Sequence, residues 1–223
     1  MEIIENFQPD LVIETTNACD KQCLGCYAPN VLVNDKITDR FDIVKNLEPN
    51  QLRSIWSQLE LPLKIEVISV RGGEPTLNPH IVDILEFLRD KADNLILETN
   101  GDWILKSSKL INELDHKSVN IKLSADRMHG SILNRVESQL QILQKHQFIT
   151  LLAVTAESFT EFEKFYRKLN SSNFIPVFQK KAFSLTELIQ PKIGVISASG
   201  KFKKTLTTTN SFRGITILES FGL

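Results

Sequence analysis

Cys19, Cys23 and Cys26 are the only cysteines in the chain, and their spacing is C-x3-C-x2-C. Thiolates bind soft metals and iron–sulfur clusters, so three of them in one short segment predict a metal or cluster site. A four-iron cluster with three protein ligands leaves one iron open, and an open iron can bind and activate a substrate. The triplet therefore predicts a [4Fe-4S] cluster with an accessible iron.

Two other interpretations of the triplet remain open. A structural zinc site would normally close with a fourth cysteine or histidine, and the nearest histidine in sequence is His80. Such a site would make the chain a zinc-binding interaction module, and a closed cluster would make it a single-cluster electron carrier. Neither alternative requires the glutamate of the next motif.

A second candidate segment is Gly72-Gly73-Glu74-Pro75, which follows the apolar run Ile65–Val70. Glycines allow the backbone to approach a ligand closely, and Glu74 offers a carboxylate acceptor. A plain strand-to-helix turn has the same composition. Thr99-Asn100-Gly101, which could also be an ordinary turn, and Ser124-Ala125-Asp126 follow two later apolar runs.

The triplet and the Gly-Gly-Glu-Pro segment together resemble the radical SAM superfamily over about residues 9–180. The resemblance implies two cofactors, a [4Fe-4S] cluster and S-adenosylmethionine (SAM). It also implies that one cluster electron cleaves the sulfonium of SAM. The 5′-deoxyadenosyl radical so formed would abstract hydrogen from a substrate, while the protein supplies position and electrostatics.

The resemblance also implies roles for individual residues. Glu74 would accept from the SAM ammonium, Arg135 would pair with its carboxylate, and Tyr27 would pack by adenine. The full set of implied cofactor-binding residues is Tyr27, Gly72, Gly73, Glu74, Asn100, Ser124 and Arg135, with Cys19, Cys23 and Cys26 as cluster ligands. The chain departs from the family pattern at Gly25, where an aromatic is frequent, and in lacking a clear adenine-binding segment around 149–156.

Hydrophobic periodicity predicts alternating strands and helices. The six predicted strands are Leu11–Thr15, Ile65–Val70, Leu95–Glu98, Val119–Leu123, Ile149–Val154 and Ile175–Phe178. The five predicted helices begin at Pro49, Pro79, Leu105, Ser131 and Ser158. This order predicts an α/β fold, a partial (β/α)6 TIM-like barrel, because a closed eight-unit barrel needs about 250 residues. The polar segments would then meet at the carboxyl ends of the strands.

Two domains are expected, a barrel core at 1–180 and a C-terminal extension at 181–223 that closes or caps it. In the extension, the pattern indicates a short helix at Leu185–Gln190 and strands at Lys192–Ser197 and Gly214–Glu219. The Lys201–Asn210 tract between these strands is typical of a loop. We expect a short member of the superfamily, without an auxiliary-cluster domain.

Composition narrows the range of partners and compartments. The chain has 223 residues, 24% charged, with a formal net charge of −1. This balance gives no reason to expect nucleic acid as a partner, and no apolar run reaches the length of a membrane span. Clustered cysteines without a secretory signal favour a reducing, cytoplasmic location.

The expected substrate is a peptide or protein that undergoes maturation or modification, since the residues around the triplet look most like peptide-modifying members. A small-molecule member similar to 7-carboxy-7-deazaguanine synthase is the alternative, followed by an activase of a glycyl-radical enzyme. An external one-electron reductant of the flavodoxin or ferredoxin type would supply the electron.

Overall fold

The computed structural model describes residues 3–5, 7–21, 23, 44–106, 108–125, 133–170, 173–180 and 194–204. Cys26, Tyr27 and Gly25 lie outside these residues, as do the helix predicted at Leu185–Gln190 and the strand predicted at Gly214–Glu219. The division into a core and an extension therefore stays a prediction.

In the described part of the chain, nine strands form one sheet. They are β1 (Ile4–Glu5), β2 (Leu11–Glu14), β3 (Ile65–Arg71), β4 (Ala92–Thr99), β5 (Val119–Ser124), β6 (Thr150–Ala156), β7 (Ile175–Lys180), β8 (Gly194–Ile196) and β9 (Phe202–Lys204). The order is β1-β7-β6-β5-β4-β3-β2-β8-β9, and every pairing is parallel except that of β8 with β9. Strands β2 to β7 therefore lie side by side in chain order, joined by β-α-β connections.

The helices connect successive strands. They are α1 (Pro49–Gln58), α2 (Ile81–Leu88), α3 (Asp102–Lys106), α4 (Ser108–Glu113), α5 (Leu133–Lys145) and α6 (Phe159–Tyr166). Pro49 stands in the first turn of α1, where Glu48 and Gln51 form a capping box. Ser158 caps α6 by accepting from the Glu161 amide at 3.2 Å.

The two faces of the sheet differ in chemistry. The larger core packs the apolar sides of α2 and α5 against strand residues such as Ile68, Leu97 and Leu123, which are fully buried. Alternate residues point to the other, inner face. There a smaller apolar cluster includes Ile96 and Leu151. The sheet curls around this inner face as a partial TIM-like barrel of the α/β class, so the predicted fold is confirmed.

Most predicted elements are present, with three differences. The helix expected at 105–114 starts earlier, at Asp102 directly after Gly101, and its described residues are helical as α3 and α4 on either side of position 107, which lies outside the described residues. Strand β1 adds a parallel partner to β7 that the pattern did not indicate. The loop expected at Lys201–Asn210 is wrong for its first residues, because a turn at Gly200, with φ of 72°, returns Phe202–Lys204 as β9 against β8.

Within the described residues, no helix combines the length and the apolar composition needed to cross a membrane.

Candidate active site

The cysteine segment begins at the carboxyl end of β2, and its base is closed by hydrogen bonds. The Leu47 amide donates to the Thr15 carbonyl at 2.8 Å, and the Asn17 amide donates to the Lys45 carbonyl at 3.2 Å. The Asn17 side chain accepts from the Lys45 amide at 2.8 Å. The two ends of the 18–44 connection are thus held beside each other, next to the end of β2.

The glycine pair after β3 packs against the backbone of the cysteine segment. The amides of Gly73 and Glu74 donate to the carbonyls of Thr16 and Ala18 at 2.8 and 2.7 Å. A Cβ atom on Gly73 would lie 2.1 Å from the Ala18 carbonyl oxygen, and one on Gly72 would lie 2.4 Å from that of Thr16. Both positions therefore require glycine for close approach to the cysteine segment, whereas the expected approach to SAM stays a prediction.

Glu74 is buried, and its carboxylate joins the turn after β3 to the end of β4. One carboxylate oxygen accepts from the hydroxyls of Thr76 and Thr99, both at 2.7 Å, and the other accepts from the Asn100 amide at 2.9 Å. Burial raises the pKa of the Glu74 carboxyl above 4.5, and the hydrogen bonds from Asn100, Thr76 and Thr99 oppose that rise. The second oxygen still has capacity to accept from a further donor, such as an ammonium group.

The turn after β4 is fixed from both sides. The Asn100 side chain donates to Asp20, between the first two cysteines, at 2.7 Å and accepts from the Asp102 amide at 2.9 Å. Gly101 has φ of 76°, a conformation that glycine adopts without strain. The buried Gln139 of α5 donates to the Gly101 carbonyl at 2.8 Å. Asn100 is therefore linked directly to the cysteine segment.

Asp102, the first residue of α3, forms ion pairs with three basic side chains. Its carboxylate pairs with Lys21 of the cysteine segment at 2.8 Å, with Lys106 at 3.6 Å and with Arg135 of α5. The Asp102 side chain is only 11% exposed. Arg135 thus lies at the strand-end rim, as its proposed role requires, but in this structure its guanidinium faces a protein carboxylate.

Asn78 ties the residues after Glu74 back to the cysteine segment. Its buried side chain donates to the carbonyls of Thr15 and Leu47 at 2.7 and 3.1 Å. Thr15 and Leu47 are the two residues whose backbone hydrogen bond closes the base of the cysteine segment. Asn78 therefore fixes the same base from the β3 side.

Two of the three cysteines expected to bind the cluster lie within the described residues. Cys19 is buried and Cys23 is half-buried, and both follow the carboxyl end of β2. The Lys21 amide donates to the Cys19 sulfur at 3.4 Å. The third ligand, Cys26, and Tyr27 lie outside the described residues.

The structure brings most of the expected residues to one rim. Glu74, Asn100 and the start of the cysteine segment are in contact, and Arg135 joins them through Asp102. Ser124 ends β5, paired in register with Ala153. Asn78, Asp102 and Gln139 were missed by sequence reasoning. Only Asp102 carried a signal, an acidic residue placed directly after a turn motif at the start of a helix.

Family and sequence comparisons agree with this geometry. Residues 12–147, more than half of the chain, match the model of the family described as 4Fe-4S single cluster domain. A probable GTP 3′,8-cyclase of Pyrococcus abyssi is 27% identical over 114 residues, which are 51% of this chain and 34% of the cyclase. An S-adenosylmethionine-dependent nucleotide dehydratase of Selenomonas ruminantium is 25% identical over 121 residues, 54% of this chain and 40% of that protein.

A solved structure has the same fold. SuiB of Streptococcus suis, bound to its precursor peptide SuiA, superposes with a TM-score of 0.52 at 18% identity, over 83% of this chain and 42% of SuiB. The chain thus matches only about a third to two-fifths of the length of these relatives. Its motifs, their placement and the family match agree with one another, and the chain belongs to the 4Fe-4S single cluster domain family, within the radical SAM superfamily.

Proposed function

We propose that the chain is a radical SAM enzyme that acts on a peptide or protein. With a single [4Fe-4S] cluster and SAM bound, one-electron cleavage of SAM would supply a 5′-deoxyadenosyl radical that abstracts hydrogen from the substrate. The electron would come from an external flavodoxin or ferredoxin, and a reducing cytoplasm would suit the cluster. The chain's own residues hold, orient and shield these groups.

One observation carries this proposal: the ends of two further strands converge on the segment of the first two cysteines, which itself follows β2. The β3 end contacts it through Gly73 and Glu74, and the β4 end contacts it through Asn100 at 2.7 Å from Asp20. A closed structural site or a simple electron carrier would need only the cysteine ligands. The buried carboxylate of Glu74, set directly beside the cysteine segment, supports the presence of a further ligand with a positive group.

The residues at the rim fit the two ends of the amino acid part of SAM. Glu74 offers a carboxylate to an ammonium group, since among the described residues one of its oxygens accepts a hydrogen bond only from the Asn100 amide. Arg135 already pairs with the Asp102 carboxylate at the rim. Its guanidinium could therefore pair with the carboxylate of SAM as well. The SAM carboxylate would then either share Arg135 with Asp102 or replace Asp102 as the partner of Arg135.

The peptide substrate is supported by two observations. The residues around the triplet look like those of peptide-modifying members, and the fold matches SuiB, whose structure contains a precursor peptide. A small-molecule substrate is the second candidate, favoured by sequence similarity to GTP 3′,8-cyclases and to a nucleotide dehydratase. Activation of a glycyl-radical enzyme is the third.

The direct test is anaerobic reconstitution with iron and sulfide, followed by dithionite and SAM, with 5′-deoxyadenosine as the measured product. We expect product from the wild-type chain and none above background from Cys23→Ala. Equal amounts of 5′-deoxyadenosine from both proteins, or none from either, would refute the proposal. A zinc module or an electron carrier predicts the second of these results.

A further inference from the structure

Four charged residues of alternating sign line the inner face of the sheet. They are Glu14 on β2, Arg71 on β3, Glu98 on β4 and Lys122 on β5, and we call them the charge ladder. Glu14 pairs in register with Arg71, and Glu98 pairs with Lys122. The β3–β4 register pairs Val70 with Leu97, so Arg71 and Glu98 come next to each other.

The ladder is internally paired. Arg71 Nη2 lies 3.5 Å from Glu14 Oε1, and Lys122 Nζ lies 3.1 Å from Glu98 Oε2. The Ser69 hydroxyl donates to Glu98. Lys122 also lies over the Phe7 ring, 4.6 Å from its centre, so an aromatic face covers the ammonium. Each cation of the ladder therefore has a carboxylate neighbour.

Because the charge ladder is largely buried, its ion pairs affect the pKa values of its members. The side chains of Glu14, Arg71 and Glu98 are about one-fifth exposed, and that of Lys122 is 4% exposed. Burial alone would raise the pKa of Glu98, but Lys122, Arg71 and the Ser69 hydrogen bond outweigh it and hold the pKa below 4.5. Burial lowers the pKa of Lys122, and the Glu98 carboxylate offsets part of that shift.

The ladder lies directly beneath the candidate active site. Glu14 precedes the Thr15–Asn17 base of the cysteine segment, Arg71 precedes Gly72, and Glu98 precedes Thr99. Because successive strand residues alternate between faces, these three residues point inward where their neighbours contact the cysteine segment or Glu74. Lys122 and Ser124 continue this inner row on β5. A substrate at the rim would meet the partly exposed side chains of Glu14, Arg71 and Glu98, whereas Lys122 is covered by Phe7.

We propose that the charge ladder binds an uncharged, amide-bearing peptide segment and disfavours polyanionic substrates. This inference rests on the proposed function, since it concerns the substrate of that same site. A peptide amide both donates and accepts, and so matches a wall on which cationic donors alternate with carboxylate acceptors. A triphosphate offers only acceptors and negative charge, so it would have to take Arg71 away from Glu14. Glu14 would then stay largely buried without its cationic partner.

The test is anaerobic equilibrium dialysis of the reconstituted protein with SAM present and without reductant. Two probes are compared: GTP as the polyanion, and an acetylated and amidated Gly-Ser-Ala-Ser-Gly pentapeptide as the neutral amide ligand. Glu98→Gln is the test variant, because it gives the ladder one surplus positive charge. Asp93→Asn is the matched control, because Asp93 and Lys64 form a pair of the same 3.1 Å length at the exposed amino ends of β3 and β4.

We expect the wild-type protein to retain the pentapeptide better than GTP. In Glu98→Gln the affinity for GTP should rise about tenfold, because an uncompensated cation in a low-dielectric site attracts phosphate strongly. Asp93→Asn should bind both probes as the wild type does. A wild-type protein that prefers GTP, or a Glu98→Gln variant no different from Asp93→Asn, would overturn the inference. The dialysis contains no reductant, so its result does not depend on SAM cleavage. A failure to cleave SAM in the separate activity assay would refute the proposed function and leave these binding results unchanged.

Discussion

Single side chains at the candidate site perform two tasks. Glu74 and Asn100 match family positions expected to contact SAM, yet in this structure each holds pieces of the protein together. Glu74 joins the ends of β3 and β4, and Asn100 joins the β4 end to Asp20. Substituting either residue should therefore change stability as well as cofactor binding.

Replacement of Glu74 by glutamine should lower stability by about 2 kcal/mol, because an amide NH2 would replace one oxygen that faces N–H or O–H donors. Urea denaturation of the protein without cofactors measures this cost. Glu86→Gln is the control, since Glu86 is exposed on α2. If both variants unfold at the wild-type urea concentration, Glu74 does not join these segments in the way described.

The glycine pair allows a second test at the residue scale. Gly73→Ala should lose most of the bound iron, because the added Cβ would force the cysteine segment away from the β3 end. Iron per chain and absorbance near 410 nm are the measurements, made after reconstitution. Gly200→Ala is the control, because it adds strain at φ of 72° where the nearest atoms are 3.7 Å away. Full iron content in Gly73→Ala would contradict the close packing.

Sequence reasoning found the residues that occur in recognisable local motifs and missed those that act across the chain. Cys19, Gly73 and Glu74 stand in short patterns with a chemical meaning. Asn78 and Gln139 do not, because a buried amide has no local signature. Asn78 donates to a residue 63 positions away, and Gln139 to one 38 positions away. Only the folded topology brings such partners together.

At the scale of elements, the site depends on how loops after neighbouring strands are joined. The cysteine segment after β2 contacts the start of α3 after β4, although β3 lies between these strands in the sheet. Lys21 and Asp102 form this connection at 2.8 Å, with side chains 21% and 11% exposed. The connection should contribute more than an ordinary surface pair.

A double-mutant cycle with Lys21→Met and Asp102→Asn should show a coupling of about 1 kcal/mol in unfolding free energy, the upper end for partly exposed pairs. The same cycle at Lys109 and Glu113 should give no measurable coupling, because these side chains are 84% and 44% exposed. Chemical denaturation of all the variants at one ionic strength makes the comparison. Equal coupling energies for the two pairs would refute the connection.

The element pattern was predictable where hydrophobic periodicity was long. The buried strands β2 to β7 are apolar runs, and the helices between them repeat apolar residues every three or four positions. Strand β9 was missed because Phe202-Lys203-Lys204 is short and basic, and its pairing depends on the turn at Gly200. The start of α3 at Asp102 was missed because the apolar pattern of this region becomes helical only from Leu105.

For the molecule as a whole, the inner face of the sheet affects both the stability of the fold and the proposed binding of substrate. The outer face is a continuous apolar core, whereas the inner face places the charge ladder across four adjacent strands. Buried ion pairs of this kind rarely add net stability over apolar residues, but removal of one partner is costly. Retention of four such charges therefore favours a role in recognition over a role in folding.

The ladder also predicts how global stability depends on pH. The folded-state pKa of Glu98 lies below the 4.5 of an unperturbed glutamate, so its contribution is fully present above pH 4.5 and is lost as pH falls through the folded-state value. Glu98→Gln lacks this contribution, so the stability difference between wild type and variant should shrink as the pH falls from about 7 to about 3. Urea denaturation across that range measures it, with Asp93→Asn as the exposed control. A difference that stays constant with pH would show that the Glu98 carboxylate is not stabilised by the ladder.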